Sequence, residues 1–241
     1  MIQLSDRLNR LAPSATLAMS QKSNEMKAQG IDVINMSVGE PDYMTPDFIK
    51  EAGKKAIDGN YSKYSPVPGY LDLREAISAK LKKENGLEYG PKEIIVGTGG
   101  KQGVCNTFMA LVNPGDEVII PAPYWVSYPQ MAKLAGGTPV VIRAGIDQNF
   151  KITPEQLEKA ITPKTKLLVI CSPSNPTGSV YTQEELNALA EVILKHDDIY
   201  VLSDEIYEHI NYVGFKASIA KAPGMRERTI ICNGVSKAYA M

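Results

Sequence analysis

Short apolar runs alternate with helix-forming stretches along most of the chain, and this alternation constrains the fold more than any other feature. Runs such as LLVI and YVLS are apolar at consecutive positions, which suits strands buried on both faces of a sheet. Amphipathic stretches with helix-start signals such as Thr153-Pro154-Glu155 lie between them. The pattern predicts an α/β fold, a mostly parallel sheet flanked by helices. The predicted strands are residues 93–97, 117–120, 138–142, 166–171, 199–203 and 229–232.

The first part of the chain does not share this alternation. Residues up to about 42 contain one predicted helix, 14–29, followed by the short run IDVINMSVGEPD. We therefore predict an N-terminal arm with part of a small domain over residues 1–45. A large domain is predicted over residues 46–241, with helices that include 72–83 and 182–195.

Charge and composition narrow the function classes. The 26 basic and 27 acidic residues give a net charge of -1, so we expect no nucleic-acid partner and no membrane surface. Three widely spaced cysteines without a CxxC pair predict reduced, buried thiols and a cytoplasmic protein. Alternating Arg and Leu near the start leave a transit peptide open as an alternative. The two histidines are predicted to be structural, no metal site is expected, and small-molecule chemistry is the expected function class.

Residues that could bind a ligand or take part in catalysis follow five of the six predicted strands. They are Gly99 to Gln102 after the first strand, Tyr124 and Trp125 after the second, Ser174 to Gly178 after the fourth, Asp204 and Tyr207 after the fifth, and Ser236 and Lys237 after the sixth. In open α/β sheets, ligands bind beyond the carboxyl ends of the strands. The five groups are therefore expected to meet in one crevice.

The chemistry of these side chains is complementary. A glycine pair entering a helix suits a phosphate, and Trp125 offers a flat face to an aromatic ring. Asp204 offers a carboxylate to a ring nitrogen, Asn175 and Tyr207 offer donors to a ring oxygen, and Lys237 offers an amine to an aldehyde. Pyridoxal phosphate carries a partner for each of these groups: a phosphate, an aromatic ring with a nitrogen and a hydroxyl oxygen, and an aldehyde. Taken singly, each residue has a simpler explanation as a turn, a helix cap, a core residue or a surface charge, so the prediction depends on their joint placement.

Five motifs in order carry a family resemblance. They are VGEPD at 38–42, PYW at 123–125, SPSNPTG at 172–178, SDEIY at 203–207 and SKAYAM at 236–241. Together they resemble the class I and II aminotransferases of fold type I, from about Leu8 to the last residue. With PSAT at 13–16 and GGKQ at 99–102, the chain is similar to one subgroup of bacterial aspartate aminotransferases.

The resemblance implies a role for each matching residue. Lys237 would bind the cofactor aldehyde as a Schiff base and then move the substrate Cα proton, while Asp204 would pair with the pyridine nitrogen. Asn175 and Tyr207 would bond the ring hydroxyl oxygen, and Trp125 would stack on the ring. The remaining implied contacts are Gly100, Lys101, Gln102 and Ser236 around the phosphate, Tyr64 on the phosphate of a neighbouring subunit, and Gly39, Trp125, Asn175 and Lys101 at the substrate. Tyr64 thereby implies a homodimer with shared active sites.

The implied reaction is amino-group transfer between an amino acid, with L-aspartate as the expected donor, and 2-oxoglutarate. Lys101 would either meet the distal carboxylate of the substrate or only neutralise the phosphate, and the sequence leaves both open. An aromatic or prephenate aminotransferase, a lyase of the same fold type, and a non-catalytic pyridoxal phosphate sensor module remain alternatives.

The family continues past the lysine motif with a further sheet strand and a carboxylate-binding arginine. We therefore expect these 241 residues to be the N-terminal part of a longer enzyme, with little activity by themselves.

Overall fold

The computed structural model describes residues 3–241, and its centre is a parallel sheet of five strands. The strands are β1 (Glu117–Ala122), β2 (Thr138–Arg143), β3 (Thr165–Cys171), β4 (Tyr200–Asp204) and β5 (Thr229–Cys232). Their order across the sheet is β2-β1-β3-β4-β5, and every neighbouring pair is parallel. The carboxyl ends of all five strands therefore meet at one edge. The predicted α/β fold with a parallel sheet is confirmed.

Helices flank this sheet and precede it in the chain. They are α1 (Asp6–Asn9), α2 (Ala15–Ala28), α3 (Asp47–Asp58), α4 (Leu71–Lys80), α5 (Gly100–Leu111), α6 (Ser127–Ala135), α7 (Pro154–Ala160) and α8 (Gln183–Ile193). A π-helical turn, Leu81–Asn85, extends α4, and short 3-10 turns cover Pro91–Glu93, Ile146–Gln148, Ile219–Lys221 and Arg226–Arg228. Thr153 and Thr182 cap α7 and α8 through reciprocal hydrogen bonds with Gln156 and Glu185, as their sequence signals predict.

The strands are apolar at consecutive positions because both faces of the sheet are covered. Along β1, Ile119 packs toward α7 and α8, while Val118 and Ile120 pack toward α5 and α6. Along β3, Leu168 and Leu167 are divided between the same two faces. Successive side chains of a strand point in opposite directions, so each run feeds two separate apolar cores.

The predicted strand at residues 93–97 is wrong. Ile94 has extended backbone angles, with φ −114° and ψ 129°, and its side chain packs against Leu81, Leu87 and Ala220. The neighbouring Val96 N–H donates to the carbonyl of Pro68 in a loop, at 3.0 Å. A strand requires a paired neighbour, and none of the five strands within residues 3–241 pairs with this segment.

The N-terminal region contacts the large sheet region through a few polar links. The backbone N–H of Ala12 donates to the side chain of Gln130 on α6 at 3.1 Å. The Tyr43 and Thr45 hydroxyls donate to the carbonyls of Lys237 and Ala240, each at 2.5 Å. The predicted domain boundary near residue 45 stays a prediction, and Met1 and Ile2 of the predicted arm lie outside the described residues.

Three further features concern membrane crossing, metal binding and the cysteines. None of the helices within residues 3–241 combines the length and apolar character that a membrane crossing requires. In the same residues, no group of three or more His, Cys, Asp and Glu side chains is arranged to hold a metal ion. The cysteines are free, and Cys232 is buried whereas Cys105 and Cys171 are only partly buried, which corrects the expectation that all three thiols are buried.

Candidate active site

The loops at the carboxyl edge of the sheet carry most of the residues that the sequence singles out. Trp125 follows β1, Asn175 follows β3, Tyr207 follows β4 and Lys237 follows β5. Asp204 is the last residue of β4, and its strand neighbours are Cys171 on β3 and Cys232 on β5. Because these strands are parallel and adjacent, residues up to 112 positions apart in sequence share one edge.

Asp204 forms a buried carboxylate at the end of the central strands. It is 5% exposed, and its Oδ2 accepts a hydrogen bond of 2.6 Å from the Tyr128 hydroxyl. Its Oδ1 accepts from the backbone N–H of Ile206 at 3.3 Å. Burial raises the pKa of Asp204, and the two donors oppose that rise. No salt bridge within residues 3–241 involves this carboxylate.

Neighbouring ionisable groups stay neutral around Asp204. Burial raises the pKa of Cys171 to about 12, and burial likewise raises the pKa of Cys232 to about 12. Burial also raises the pKa of Tyr128 far above its ordinary value, with further contributions from Cys171 and Asp204. The two thiols and the phenol therefore remain protonated at neutral pH, and none of them competes with Asp204 for a positively charged partner.

An aromatic pair lines the site beside this carboxylate. The rings of Trp125 and Tyr128 meet edge to face with centroids 5.3 Å apart, and the Lys101 ammonium lies 5.0 Å from the Trp125 ring centroid. This contact is a cation–π interaction. It brings the start of α5 next to the loop after β1, as the sequence predicts for Lys101 and Trp125.

The start of α5 offers free backbone donors. Gly99 caps this helix with φ 82° and ψ 158°, a conformation that is essentially restricted to glycine. In the described chain, the N–H groups of Gly100 and Lys101 donate to no protein acceptor. Gln102 is engaged locally, because its side chain accepts a hydrogen bond from the Thr98 N–H. Helix N-termini of this kind bind anions such as phosphate.

Lys237 is held against the N-terminal region. The Lys237 Nζ donates a hydrogen bond of 2.6 Å to the carbonyl of Gly39, and the Tyr43 hydroxyl donates to the backbone carbonyl of Lys237. Lys237 is thus in direct contact with Gly39, one of the residues that the family resemblance implies at the substrate. The amine bonds a neutral carbonyl and forms no salt bridge with a carboxylate within residues 3–241.

The remaining sequence candidates differ in how closely the structure brings them together. Asn175 Nδ2 lies 3.5 Å from the Tyr207 hydroxyl, at the long limit of a hydrogen bond. Ser236 precedes Lys237 on the loop after β5 and is partly exposed. Tyr64 is fully exposed and lies outside the cluster formed by Asp204, Trp125 and Tyr128.

Sequence reasoning missed Tyr128. The PYW motif ends at Trp125, and Tyr128 lies three residues further, at the start of α6. The signal was available, since residues three apart on a helical turn face the same side. Its hydroxyl is the side-chain donor on Asp204.

The chain matches one family model and several curated relatives. The model of aminotransferase class I and II matches residues 31–241. The chain belongs to the class I and II aminotransferase family. It is 54% identical over 240 residues to the aspartate/prephenate aminotransferase of Cereibacter sphaeroides, covering 99% of this chain and 60% of that protein. It is 51% identical over 243 residues to the aspartate aminotransferase of Geobacillus stearothermophilus, covering 100% of this chain and 61% of that protein.

A solved structure of an aminotransferase has the same fold. The aspartate aminotransferase from Thermus thermophilus with maleate superposes with a TM-score of 0.95 at 46% identity. The match covers 100% of this chain and 62% of the Thermus chain. The chain thus spans about 60% of the length of the curated aminotransferases that it matches.

The aminotransferase family uses pyridoxal phosphate, and the residues at this edge fit that cofactor. A buried carboxylate without a cationic partner in the described residues suits a protonated pyridine nitrogen. The free N–H groups at the start of α5 suit its phosphate. The Trp125 face suits the ring, and the amine of Lys237 suits the aldehyde. Each of these protein groups therefore suits one part of the cofactor.

Proposed function

We propose that the protein transfers amino groups between an amino acid and a 2-oxo acid with pyridoxal phosphate as cofactor. The observation that carries the proposal is the buried Asp204 carboxylate, which accepts a hydrogen bond from Tyr128. The Tyr128 ring packs against Trp125, and Lys237 follows another strand at the same edge of the sheet. Pyridoxal phosphate, when bound, supplies an aldehyde that condenses with amines and a ring that accepts the electron pair left at the substrate Cα.

Asp204 would hold a proton on the ring nitrogen. Burial disfavours a carboxylate that has no cationic partner, and this raises the pKa of Asp204 in the free site. Pairing with a protonated ring nitrogen would offset the cost of burying that charge. The 2.6 Å bond from Tyr128 would fix the orientation of this carboxylate. Asn175 and Tyr207 would orient the ring hydroxyl oxygen, since both present donors on adjacent loops.

Lys237 would attach the cofactor as a Schiff base and, once released, move the proton of the substrate Cα as general base and then general acid. Its Nζ contacts the carbonyl of Gly39, the residue proposed to lie against the bound amino acid. The amine and the reacting carbon would therefore share one small region. Gly100, Lys101, Gln102 and Ser236 would surround the phosphate, with the α5 N–H groups as the main donors.

The proposed amino donor is L-aspartate and the proposed acceptor is 2-oxoglutarate. The names of the relatives from Geobacillus and Cereibacter support aspartate, and the latter name favours prephenate as a second acceptor. Lys101 lies at the edge of the site with its ammonium over Trp125, where it would meet either the phosphate or a distal substrate carboxylate.

We also propose a homodimer with shared active sites. Four large apolar side chains within residues 57–67 are exposed, and exposed apolar surface of this kind is typical of a protein interface; they are Ile57, Tyr61, Tyr64 and Val67. Tyr64 would reach the phosphate of the neighbouring subunit. Mixing a Lys237→Ala variant with a Tyr64→Ala variant should restore activity above the sum of the two alone, because mixed dimers regain one complete site. No gain on mixing would contradict shared sites.

The experiment that tests the proposed reaction follows the absorption spectrum of the purified full-length protein with pyridoxal phosphate. Adding L-aspartate should convert the cofactor to its amine form, and 2-oxoglutarate should reverse the change with release of glutamate. Decarboxylation or elimination products in place of glutamate would instead support a lyase of the same fold type. Cofactor binding with no conversion by any amino acid would support a sensor module.

A further inference from the structure

The loop that follows β4 carries a buried carboxylate outside the proposed cofactor contacts. Glu208 is 6% exposed and accepts hydrogen bonds from three side chains of distant segments. The Lys80 ammonium at the end of α4 and the Asn85 amide at 2.6 Å hold it from one side. The Asn233 amide donates to it at 2.8 Å from the loop after β5. Burying a carboxylate is unfavourable unless donors of this kind surround it.

The charges around Glu208 favour its ionised form. Burial by itself would raise the pKa of Glu208, but the Lys80, Asn85 and Asn233 donors outweigh burial and hold that pKa below its usual value. His209 Nε2 lies 3.3 Å from Glu208 Oε1. The other titratable groups in this cluster are Glu205, Glu84 and Lys216, and Glu84 contacts Lys216 at 3.5 Å.

This carboxylate connects two segments of the proposed active site. Glu208 directly follows Tyr207, so the turn that presents Tyr207 to the crevice also carries Glu208 into the interior. On the other side, Asn233 Oδ1 accepts a hydrogen bond of 2.7 Å from the N–H of Gly234, three residues before Lys237. One amide group therefore fixes the turn into the Lys237 loop while it binds Glu208.

We propose that Glu208 is a positioning residue that sets the Lys237 loop against the Tyr207 turn by holding Asn233. The inference rests on the proposed function, since it concerns how the amine meets bound pyridoxal phosphate. Glu208 touches neither substrate nor cofactor in this account. Its effect passes through Asn233 and the Gly234 turn, with Lys80 anchoring the carboxylate to α4.

The test compares Glu208→Gln, Asn233→Ala and the double variant with the unsubstituted protein. Two readouts follow Lys237 and do not report overall stability. One is the pH midpoint of the absorption band that bound pyridoxal phosphate shows. The other is the dissociation constant for pyridoxal phosphate, read from the fluorescence of Trp125, the single tryptophan of the chain. Glu84→Gln is the control, because Glu84 belongs to the same cluster but does not bond Asn233.

Each single variant should weaken pyridoxal phosphate binding about tenfold, in line with losing one hydrogen bond to a charged group. Each should also move the pH midpoint by about half a pH unit or more. The double variant should change the dissociation constant and the pH midpoint no more than the more affected single variant does, because the two residues act in series. The control should leave both readouts unchanged.

Two results would overturn the inference while the proposed function stands. In one, Glu208→Gln lowers the melting temperature but leaves the midpoint and the dissociation constant unchanged. In the other, the effects of Glu208→Gln and Asn233→Ala simply add. If the unsubstituted protein shows no absorption band with pyridoxal phosphate, the proposed function fails and the inference fails with it.

Discussion

The Tyr128 hydroxyl donates a hydrogen bond of 2.6 Å to Oδ2 of Asp204, and both side chains are buried. This pair joins the start of α6 to the end of β4, two elements 76 residues apart in the chain. It fixes the orientation of the carboxylate on which the proposed cofactor site depends. Replacing either residue therefore tests a different part of the account.

Tyr128→Phe removes the donor but keeps the ring against Trp125. We expect pyridoxal phosphate to bind about tenfold more weakly, since a hydrogen bond to a charged group contributes about 1.5–3 kcal/mol and part of that is shared with the Ile206 N–H. Fluorescence titration of Trp125 measures the affinity. Tyr181→Phe is the matched control, because its buried hydroxyl accepts from the Ile152 N–H at 2.9 Å instead. Equal losses of affinity in both variants would contradict the role of Tyr128.

Asp204→Asn keeps the shape of the side chain and removes its charge. Amino transfer from L-aspartate should slow by a factor on the order of 10² or more, because a preorganised charge opposite the ring nitrogen is lost. The rate of glutamate formation checks this. Asp197→Asn provides the same substitution at an exposed site beside Arg228 and should leave the rate unchanged. A rate within a few-fold of the unsubstituted protein for Asp204→Asn would argue against a paired nitrogen.

Glu205 should make stability depend on pH. Burial raises the pKa of Glu205 to about 7, against hydrogen bonds from Ser218 and Ser203, whereas the unfolded chain has a value near the ordinary 4.5. Between these two pH values the folded protein holds a proton that the unfolded chain has released. The free energy of unfolding should therefore fall as pH rises through this window, by about 3 kcal/mol.

Glu205→Gln should remove that part of the pH dependence, because an amide carries no charge at any pH. Urea unfolding at pH 5 and pH 8 for both proteins measures the difference. The unsubstituted protein should lose more stability between the two pH values than the variant does. Identical losses would show that Glu205 does not titrate in this window.

Gly99→Ala tests the start of α5. A methyl group at Gly99 meets no neighbouring atom, but the backbone angles are strained for any residue with a side chain, at about 1–3 kcal/mol. We expect lower stability and weaker pyridoxal phosphate binding, because the N–H groups of Gly100 and Lys101 shift. Gly53→Ala is the control in α3, where the added methyl is also free of contacts and the helix should gain up to about 1 kcal/mol. Unchanged cofactor affinity in Gly99→Ala would contradict a phosphate site there.

The sequence predicts the local features of this structure well. The strand positions of β1 to β5 follow from runs of Val, Ile and Leu, and the starts of α7 and α8 follow from Thr153 and Thr182. Convergence at the carboxyl edge follows from parallel strands, which the consecutive apolar residues indicate. Local chemistry decides these features, so single-sequence reasoning reaches them.

The features that depend on distant partners were not predictable in the same way. Residues 93–97 have the apolar composition of a strand, yet a strand forms only when another strand pairs with it. The bonds of Glu208 to Lys80 and Asn233 join residues 128 and 25 positions away. No local pattern signals such contacts. Tyr128 was within reach of a helical-spacing argument, but its bond to Asp204 required the fold.

The most direct test of the account is chemical trapping at Lys237. The purified protein is incubated with pyridoxal phosphate, reduced with borohydride, digested and mapped by mass spectrometry. We expect a single modified peptide that carries the cofactor on Lys237, and no modification there in a Lys237→Ala variant. Labelling of another lysine such as Lys101, or random labelling of surface lysines with Lys237 unmodified, would contradict the central claim that this edge of the sheet is a pyridoxal phosphate site built around Lys237 and Asp204.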